Sequence, residues 1–334
     1  YLWKPLSESY GGGILLHDVK DSTIKNCDVQ HQMNGILLYD CDTITAEQNN
    51  GSFNSGWGIY LSNTQNSLIQ DNQFDFCNRV FKRENGIVRV EADAAGIVIV
   101  KGSSKNRFLR NSCLCGGDGI FLCGYEHPGS ITPCNDNLFE DNDCRLSPNN
   151  AIEATFSGNN IFRGNDCSRS NYGFWMGYSY DCTLEDNHVE FSRWAGIAIE
   201  HAYGFNITGN TVANNGEGIR LFTRGGAVTD YFENRRVCSN FTIRDNQIEH
   251  NDIGFHGYTG AETDDNLSHN FLLENNTFDN NRVGAQLHRV NNARLLKNQF
   301  TANIVAAIQH DNHASLVFND NHFDANHRDI VSHK

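Results

Sequence analysis

An asparagine returns at a nearly fixed interval along this chain: Asn142, Asn165, Asn187, Asn210, Asn246, Asn276, Asn298 and Asn321. The gaps of 23, 22, 23, 36, 30, 22 and 23 residues are one period carrying two insertions. A fixed period of this length restricts the chain to architectures in which one small unit stacks on the next. Three residues before each Asn stands an apolar residue (Phe139, Phe162, Leu184, Ile207, Ile243, Leu273, Leu295, Phe318), and two after it another (Cys144, Cys167, Val189, Val212, Ile248, Phe278, Phe300, Phe323). About eight residues further on, a Gly-apolar-x-apolar phrase opens the next unit, as in Gly173-Phe174-Trp175-Met176, Gly196-Ile197-Ala198-Ile199 and Gly218-Ile219-Arg220-Leu221. Apolar residues at alternate positions, bounded by Asn, Asp, Ser and Gly, indicate short strands, and no stretch keeps a helical spacing for long. Three to five residues per strand, linked by tight turns and repeated every 22 or 23 residues, make one coil of a parallel β-helix.

On these phrases the chain resembles the right-handed parallel β-helices of the pectate-lyase-like superfamily, and most closely the Asn-rich repeat proteins called NosD-like. The resemblance runs from Gly13 to Asp329, with Gly or Ala openings at 13, 35, 58, 96, 119, 151, 173, 196, 218, 254, 284 and 307. It implies an all-β solenoid of about twelve coils, and it leaves activity open, because the superfamily includes lyases, hydrolases, epimerases and non-catalytic proteins. Stacked at one turn of successive coils, each Asn amide is expected to hydrogen-bond to those above and below, satisfying polar groups that the turn buries.

All 334 residues fit one solenoid domain, since each coil touches only its neighbours. Inserted loops are expected near 81–95, 124–134, 223–238 and 259–268. The first contains an extra short coil opened by Gly86-Ile87-Val88, or a loop over the groove. A net charge of -14 speaks against general affinity for nucleic acid and against a uniformly basic groove. No apolar run is long enough to span a membrane, and Tyr1-Leu2-Trp3-Lys4-Pro5 does not read as a signal peptide; the class nonetheless suggests a secreted or periplasmic protein. Eleven cysteines leave at least one unpaired. Cys113, Cys144 and Cys167 take the interior apolar position and read as buried thiols, whereas Cys123 and Cys134 bracket an insert and form the one pair worth testing as a bridge. No Cys-x-x-Cys arrangement suggests zinc.

Function belongs on the outside of the coil. Counting from the opening Gly, the first and third residues point inward and the second and fourth outward. The outward residues of the first coils are mostly apolar or aromatic, Phe121 among them. From the sixth coil they include Glu153, Trp175, Glu200, Arg220, His256, Tyr258, Gln286 and His288, with Lys101, Tyr178, His201 and Arg289 one position beyond the strand. Bulky aromatics among carboxylates, Arg and His suit a sugar chain: rings stack on the C–H face of a pyranose while polar groups bond its hydroxyls. Substrate contacts are therefore expected at Trp175, Tyr178, Arg220, His256, Tyr258, Lys101, Phe121 and His288, with a polysaccharide or oligosaccharide as partner.

Glu153 and Glu200 lie two rungs apart with Trp175 between them. At about 4.8 Å per rung and about 3.3 Å per residue their backbones should stand roughly 11 to 12 Å apart. Leaning side chains would then bring the carboxyls to roughly 6.5 to 9.5 Å, the spacing of inverting glycosidases. In that reading Glu153 beside Trp175 is the acid and Glu200 the base, with His201 at its edge and Asp118 held between glycines. Asp118 also fits a turn-stabilising role, and each Glu a solvated one. The insert residues Arg224, Arg235, Arg236, Glu262, Asp264 and Asp265 either wall the groove or pair with one another. Three classes follow: a glycoside hydrolase with paired carboxylates; a polysaccharide lyase or uronate epimerase, in which Arg220 or Lys101 neutralises the sugar carboxylate and His201, His256 or Tyr258 moves protons; or a glycan-binding surface protein. No cofactor is expected, and calcium enters only with the lyase.

Overall fold

The computed structural model describes residues 11–91, 93–126, 129–224, 237–260, 267–311 and 315–333. Two compact units make up the chain, Tyr1–Asn171 and Tyr172–Lys334. Each is a stretch of parallel β-helix.

In the first unit, Gly12–His17, Asn34–Tyr39, Ile59–Ser62, Ala95–Val100, Asp118–Cys123 and Asn150–Thr155 pair in parallel, each strand with that of the next coil. A second parallel sheet runs through Lys20–Lys25, Asp42–Glu47, Leu68–Gln70, Arg107–Leu109, Leu138–Glu140 and Ile161–Arg163. The third wall is a line of single bridges, from Asp28 through Asn50, Gln73, Ser112 and Asp143 to Asp166.

The second unit repeats this plan with a fuller third wall. Its first sheet holds Tyr172–Gly177, Ala195–Glu200, Glu217–Phe222, Ile253–Tyr258, Val283–His288, Ala306–Asp311 and Ile330–His333. The third wall is continuous from His188–Glu190 through Thr211–Ala213, Gln247–Glu249, Thr277–Asp279 and Gln299–Thr301 to His322–Asp324. Every opening glycine or alanine read from the sequence lies in or immediately before a strand of the first sheet. The strand Ile330–His333 is an additional rung; Asp329 occupies its opening position, so the glycine signal is missing there.

The glycines are there because the coils approach closely. A Cβ on Gly35 would lie 2.4 Å from the Gly58 carbonyl oxygen, and one on Gly218 would lie 2.4 Å from that of Gly254, well inside contact distance. Inside, Ile97, Ile99, Ile120, Leu122 and Ile152 of the first unit are buried, as are Phe174, Met176, Ile197, Ile199, Ile219 and Leu221 of the second, which matches the inward positions read from the alternation. Phe108, Phe139 and Phe162 stack in register at 4.8 and 4.7 Å, an interior column of rings one rung apart.

The asparagine ladder forms as expected. Asn142 Nδ2 donates to Asn165 Oδ1 at 3.0 Å, and the Asn142 backbone N–H donates to the same oxygen at 3.0 Å. The Asn142 Nδ2 also donates to the carbonyl of Phe108 in the coil before, at 2.9 Å. The residue before each ladder Asn turns the corner in the left-handed region: Asp71, Arg110, Asp141 and Gly164 in the first unit, Asp186, Gly209, Asp245, Asn275, Lys297 and Asp320 in the second. Asp, Asn and Gly tolerate that conformation best, so the bend and the ladder are two parts of one turn.

All eleven cysteines are free thiols, including Cys123 and Cys134, so the pair singled out for a bridge is not bridged. Around Gly86 the first insert is an antiparallel hairpin, Val80–Lys82 with Val88–Val90, and not a further coil.

Candidate functional site

The alternation rule fails at the opening glycine. Register along the first sheet skips it, as in Glu217 to Ile253 followed by Ile219 to Phe255. The residue before the glycine and the second residue after it therefore project to the same side. Asn150 Nδ2 donates to Glu153 Oε2 at 2.7 Å, Tyr172 meets Trp175 edge-on at 4.9 Å, and Glu217 Oε2 lies 3.4 Å from Arg220 Nε. A side chain before the glycine also reaches the second position of the following coil. Two clusters of charged groups arise from these relations, one in each unit.

In the first unit the outward face is mostly closed. Leu37, Tyr60 and Val98 are buried, and Phe121, expected at the substrate, is 7 % exposed, so these outward apolar residues form a packed layer. Trp57 stacks on Tyr60 at 4.2 Å and donates its Nε1–H to the Asp93 carbonyl at 2.7 Å. Lys101 sits partly exposed at a left-handed bend after its strand. The open edge of this face is Glu153, which retains some solvent exposure.

Asp118 is wholly buried behind Glu153. Its Oδ1 accepts from Asn149 Nδ2 and from the backbone N–H of Asn150, both at 2.8 Å. Burial, then the Glu153 charge, pushes the Asp118 carboxyl well above the usual range. Burial also pushes Glu153 up to about 7, against hydrogen bonds from Asp118 and Asn150 and with a further upward push from Asp93. Asp93 pairs with Arg79 at 3.3 Å, and Arg79 also bonds Glu91.

These raised carboxyls make a stability prediction. A group whose pKa is higher in the folded than in the unfolded chain supports folding below its unfolded value, and that support is lost as pH rises through the folded value. For Glu153 the window runs from 4.5 to about 7. Thermal denaturation should show wild-type stability falling across that window by about 1–3 kcal/mol. Glu153→Gln, whose amide replaces the proton, should flatten that fall; identical pH dependence in both proteins would show that the pair carries no such strain.

In the second unit, Glu200 is 2 % exposed and His201 fully buried. Arg224 Nε donates to Glu200 Oε1 at 2.6 Å, and His201 Nε2 lies 3.2 Å from the Arg224 backbone nitrogen. Tyr178, also buried, stacks on His201 at 5.4 Å. Tyr178 and His201 both follow their strands in the left-handed conformation, which folds them back onto the wall instead of out to a groove. Glu200, His201 and Tyr178 thus form a covered cluster capped by Arg224. Arg235, Arg236, Glu262, Asp264 and Asp265 lie outside the described residues.

The open cluster of this unit is one coil further on. Glu217 Oε1 is 3.0 Å from His256 Nδ1. The Arg220 guanidinium lies 4.2 Å over the Phe222 ring and 5.3 Å over that of Tyr258, and it donates to the Tyr258 hydroxyl. The His256 and Tyr258 rings are 4.6 Å apart. Trp175 packs edge-on against Phe222 at 5.7 Å, and Tyr172, Trp175 and Tyr258 are all partly buried against Ala195, Ala198 and Phe222. His288, the register partner of Tyr258, is exposed and bonded to Asp311 Oδ2 at 2.7 Å. Of the residues expected from the sequence, Trp175, Arg220, His256 and Tyr258 come together here. Glu217 and Tyr172 were not expected, because strict alternation would turn the residue before the glycine inward.

The cluster can perform acid–base chemistry. A carboxylate facing Nδ1 holds the imidazole with its proton on that nitrogen, leaving the Nε2 lone pair to accept another. Beside it stand a phenol and a guanidinium. Among the described residues no three His, Cys, Asp or Glu side chains gather as ligands for a metal ion.

The family described as right handed beta helix region matches residues 11–145 and 231–332, and the family described as periplasmic copper-binding protein (NosD) matches residues 124–266. The copper of that second description finds no ligand cluster among the described residues. No curated protein matches the sequence significantly. Among solved structures, the periplasmic alginate epimerase AlgG is 14 % identical with a TM-score of 0.52, over 92 % of this chain and 78 % of that one. The A-module of an Azotobacter vinelandii mannuronan C-5 epimerase is 11 % identical with a TM-score of 0.56, over 91 % of each chain. PfbA, a surface adhesin of Streptococcus pneumoniae, is 10 % identical with a TM-score of 0.60, over 92 % of this chain and 83 % of that one. At these identities the likeness is one of fold.

Proposed function

The chain belongs to the right-handed β-helix family, and on that premise we propose that it acts on a polysaccharide, moving a proton at a uronate unit bound over Glu217, Arg220, His256 and Tyr258. One observation carries the reading: a guanidinium, a phenol and a carboxylate-held imidazole converge on one partly exposed patch floored by aromatic rings.

Proton loss from C5 of a uronate needs its carboxylate neutralised, so that charge arriving at the carboxyl group is stabilised. Arg220 supplies the cation. His256 Nε2 takes the C5 proton, and the electron pair moves into the carboxyl group, giving an enediolate paired with Arg220. Tyr258 then gives its proton to the O4 leaving group as its bond to C4 breaks, which leaves an unsaturated sugar. Inversion at C5 instead takes its proton from water on the other face, because the His256 and Tyr258 rings, 4.6 Å apart on one strand, leave no room for a sugar between them. The negative net charge of the chain does not oppose this, because over the ~8 Å screening length of physiological salt the contacting cation outweighs distant carboxylates. Trp175 and Tyr172 offer a neighbouring sugar a stacking surface.

Hydrolysis by paired carboxylates is less well supported. Flanking carboxyls need a gap of about 5 Å or more for the sugar and its water, whereas Asp118 and Glu153 are hydrogen-bond neighbours and Glu200 is covered by Arg224. Export to the periplasm or cell surface suits such a substrate, and no described helix is long and apolar enough to cross a membrane. Incubation with uronate-containing polymers in deuterated water should place deuterium at C5 or yield ultraviolet-absorbing unsaturated products. New reducing ends from neutral glycans with neither signal would replace this reading with the hydrolase.

A further inference from the structure

The first unit contains a carboxyl dyad that the uronate chemistry does not use. Asp118 stands immediately before the opening Gly119, and Glu153 occupies the second position after Ala151 in the following coil. That is the relation that joins Glu217 to His256 at 3.0 Å in the second unit. Asp118 Oδ1 is saturated by two N–H donors, from Asn149 and Asn150. Its Oδ2 is buried with no N–H or O–H partner, and the Glu153 carboxyl, which shares Asn150 with it as a donor, lies within hydrogen-bond reach of Asp118. Two carboxylates in contact cannot both be charged, so one proton must lie between them.

We propose that Asp118 and Glu153 share a single proton and form a second binding site, one that takes a hydroxyl of an uncharged sugar. With Asp118 as donor, the proton bridges Oδ2 to Glu153. Asn150 Nδ2 holds Glu153 Oε2 at 2.7 Å. The carboxylate of Glu153, partly open to solvent, then accepts a hydrogen bond from a ligand hydroxyl.

Charge selects the ligand. The titratable and charged groups facing this pair are Asp93, with Glu91 and Arg79 behind it, and the Cys123 thiol. The guanidinium of Arg79 is engaged by Glu91 and Asp93. A uronate carboxylate would meet net negative charge here, whereas a neutral hydroxyl meets an acceptor. The site therefore favours a neutral sugar, where Arg220 favours a uronate.

The test is calorimetric titration with neutral hexose oligosaccharides and with uronate oligosaccharides of the same length. Wild-type protein should bind a neutral oligosaccharide, and Glu153→Gln should weaken that binding at least about tenfold. Asp118→Asn should keep it, because the amide nitrogen donates to Glu153 in place of the proton. Infrared spectra at neutral pH should show a protonated-carboxyl band in the wild type that Asp118→Asn removes, which reports on the pair whether or not other variants fold. Arg220→Ala should leave neutral-sugar binding unchanged. The proposal is overturned if no neutral oligosaccharide binds, if Glu153→Gln binds as well as wild type, or if the protonated band is absent.

Discussion

Arg220→Ala should reduce kcat on a uronate polymer by about 10²–10³-fold, the usual cost of deleting a group that meets developing charge. KM should change much less, since neighbouring sugars on the aromatic floor continue to contribute to binding. The guanidinium is aimed by its surroundings: it is stacked 4.2 Å over Phe222, bonded to the Tyr258 hydroxyl, and flanked by Glu217 at 3.4 Å. Arg220→Lys keeps the charge but loses the planar fork and the stacking, so it should recover only part of the rate. Glu217→Gln serves as a control on His256. Glu217 is a positioning residue that meets Nδ1 at 3.0 Å, and its loss should show by nitrogen NMR as a mixture of imidazole tautomers. Full turnover in Arg220→Ala, measured by C5 deuterium or unsaturated product, would remove the guanidinium from the chemistry and the uronate reading with it.

The scaffold was legible because its physics is periodic. One side chain, Asn, at one turn of each coil makes bonds that only a stacked copy can complete, so the spacing alone implies the stack. A second ladder was less visible. Asn215, Asn251 and Asn281 bond in series five residues after the first set, at 3.1 Å between side chains; the Asn281 backbone N–H then donates to Asn303 Oδ1 at 3.2 Å, and Asn303 Nδ2 to Asn326 Oδ1 at 2.8 Å. Those positions sit among many other Asn, Asp and Ser residues, and nothing local separates a ladder asparagine from a turn asparagine.

The site was half legible for a different reason. Arg220, His256, Trp175 and Tyr258 stand at strand positions where period-two alternation holds, and the structure finds them together. Alternation breaks at the opening glycine and again at the bend that ends the strand. Glu217 and Tyr172 precede a glycine and were missed; His201 and Tyr178 follow a strand in the left-handed conformation and were expected in a groove that they do not line. Glu200 alternates outward as expected and is covered by Arg224, a long-range contact that strand alternation cannot foretell.

Asn246→Ala should be the most destabilising single change in the second unit that leaves the hydrophobic core intact. Asn246 Oδ1 accepts the backbone N–H and the Nδ2 of Asn210, both at 2.9 Å. Its own Nδ2 donates to the Ile207 carbonyl at 3.0 Å and to Asn276 Oδ1 at 2.9 Å. Alanine removes all of these and leaves donors and acceptors buried where water has little access. At roughly 1–3 kcal/mol for each orphaned group, with some relaxation, the loss should be about 3–5 kcal/mol in denaturant titration. Because a solenoid is stabilised coil by coil, hydrogen exchange should quicken first in the coils touching Asn246 and not uniformly. Asn246→Asp separates the donor from the acceptor. The aspartate keeps an oxygen for Asn210 but turns a charged oxygen toward Ile207 O and Asn276 Oδ1, so it should be at least as unstable as alanine at neutral pH. Burial without a cation raises such a carboxyl above its unfolded value, so its stability should recover on acidification as the protonated form regains a donor. A loss below about 1 kcal/mol in Asn246→Ala, with uniform exchange, would mean that the ladder marks the register without holding the coils together.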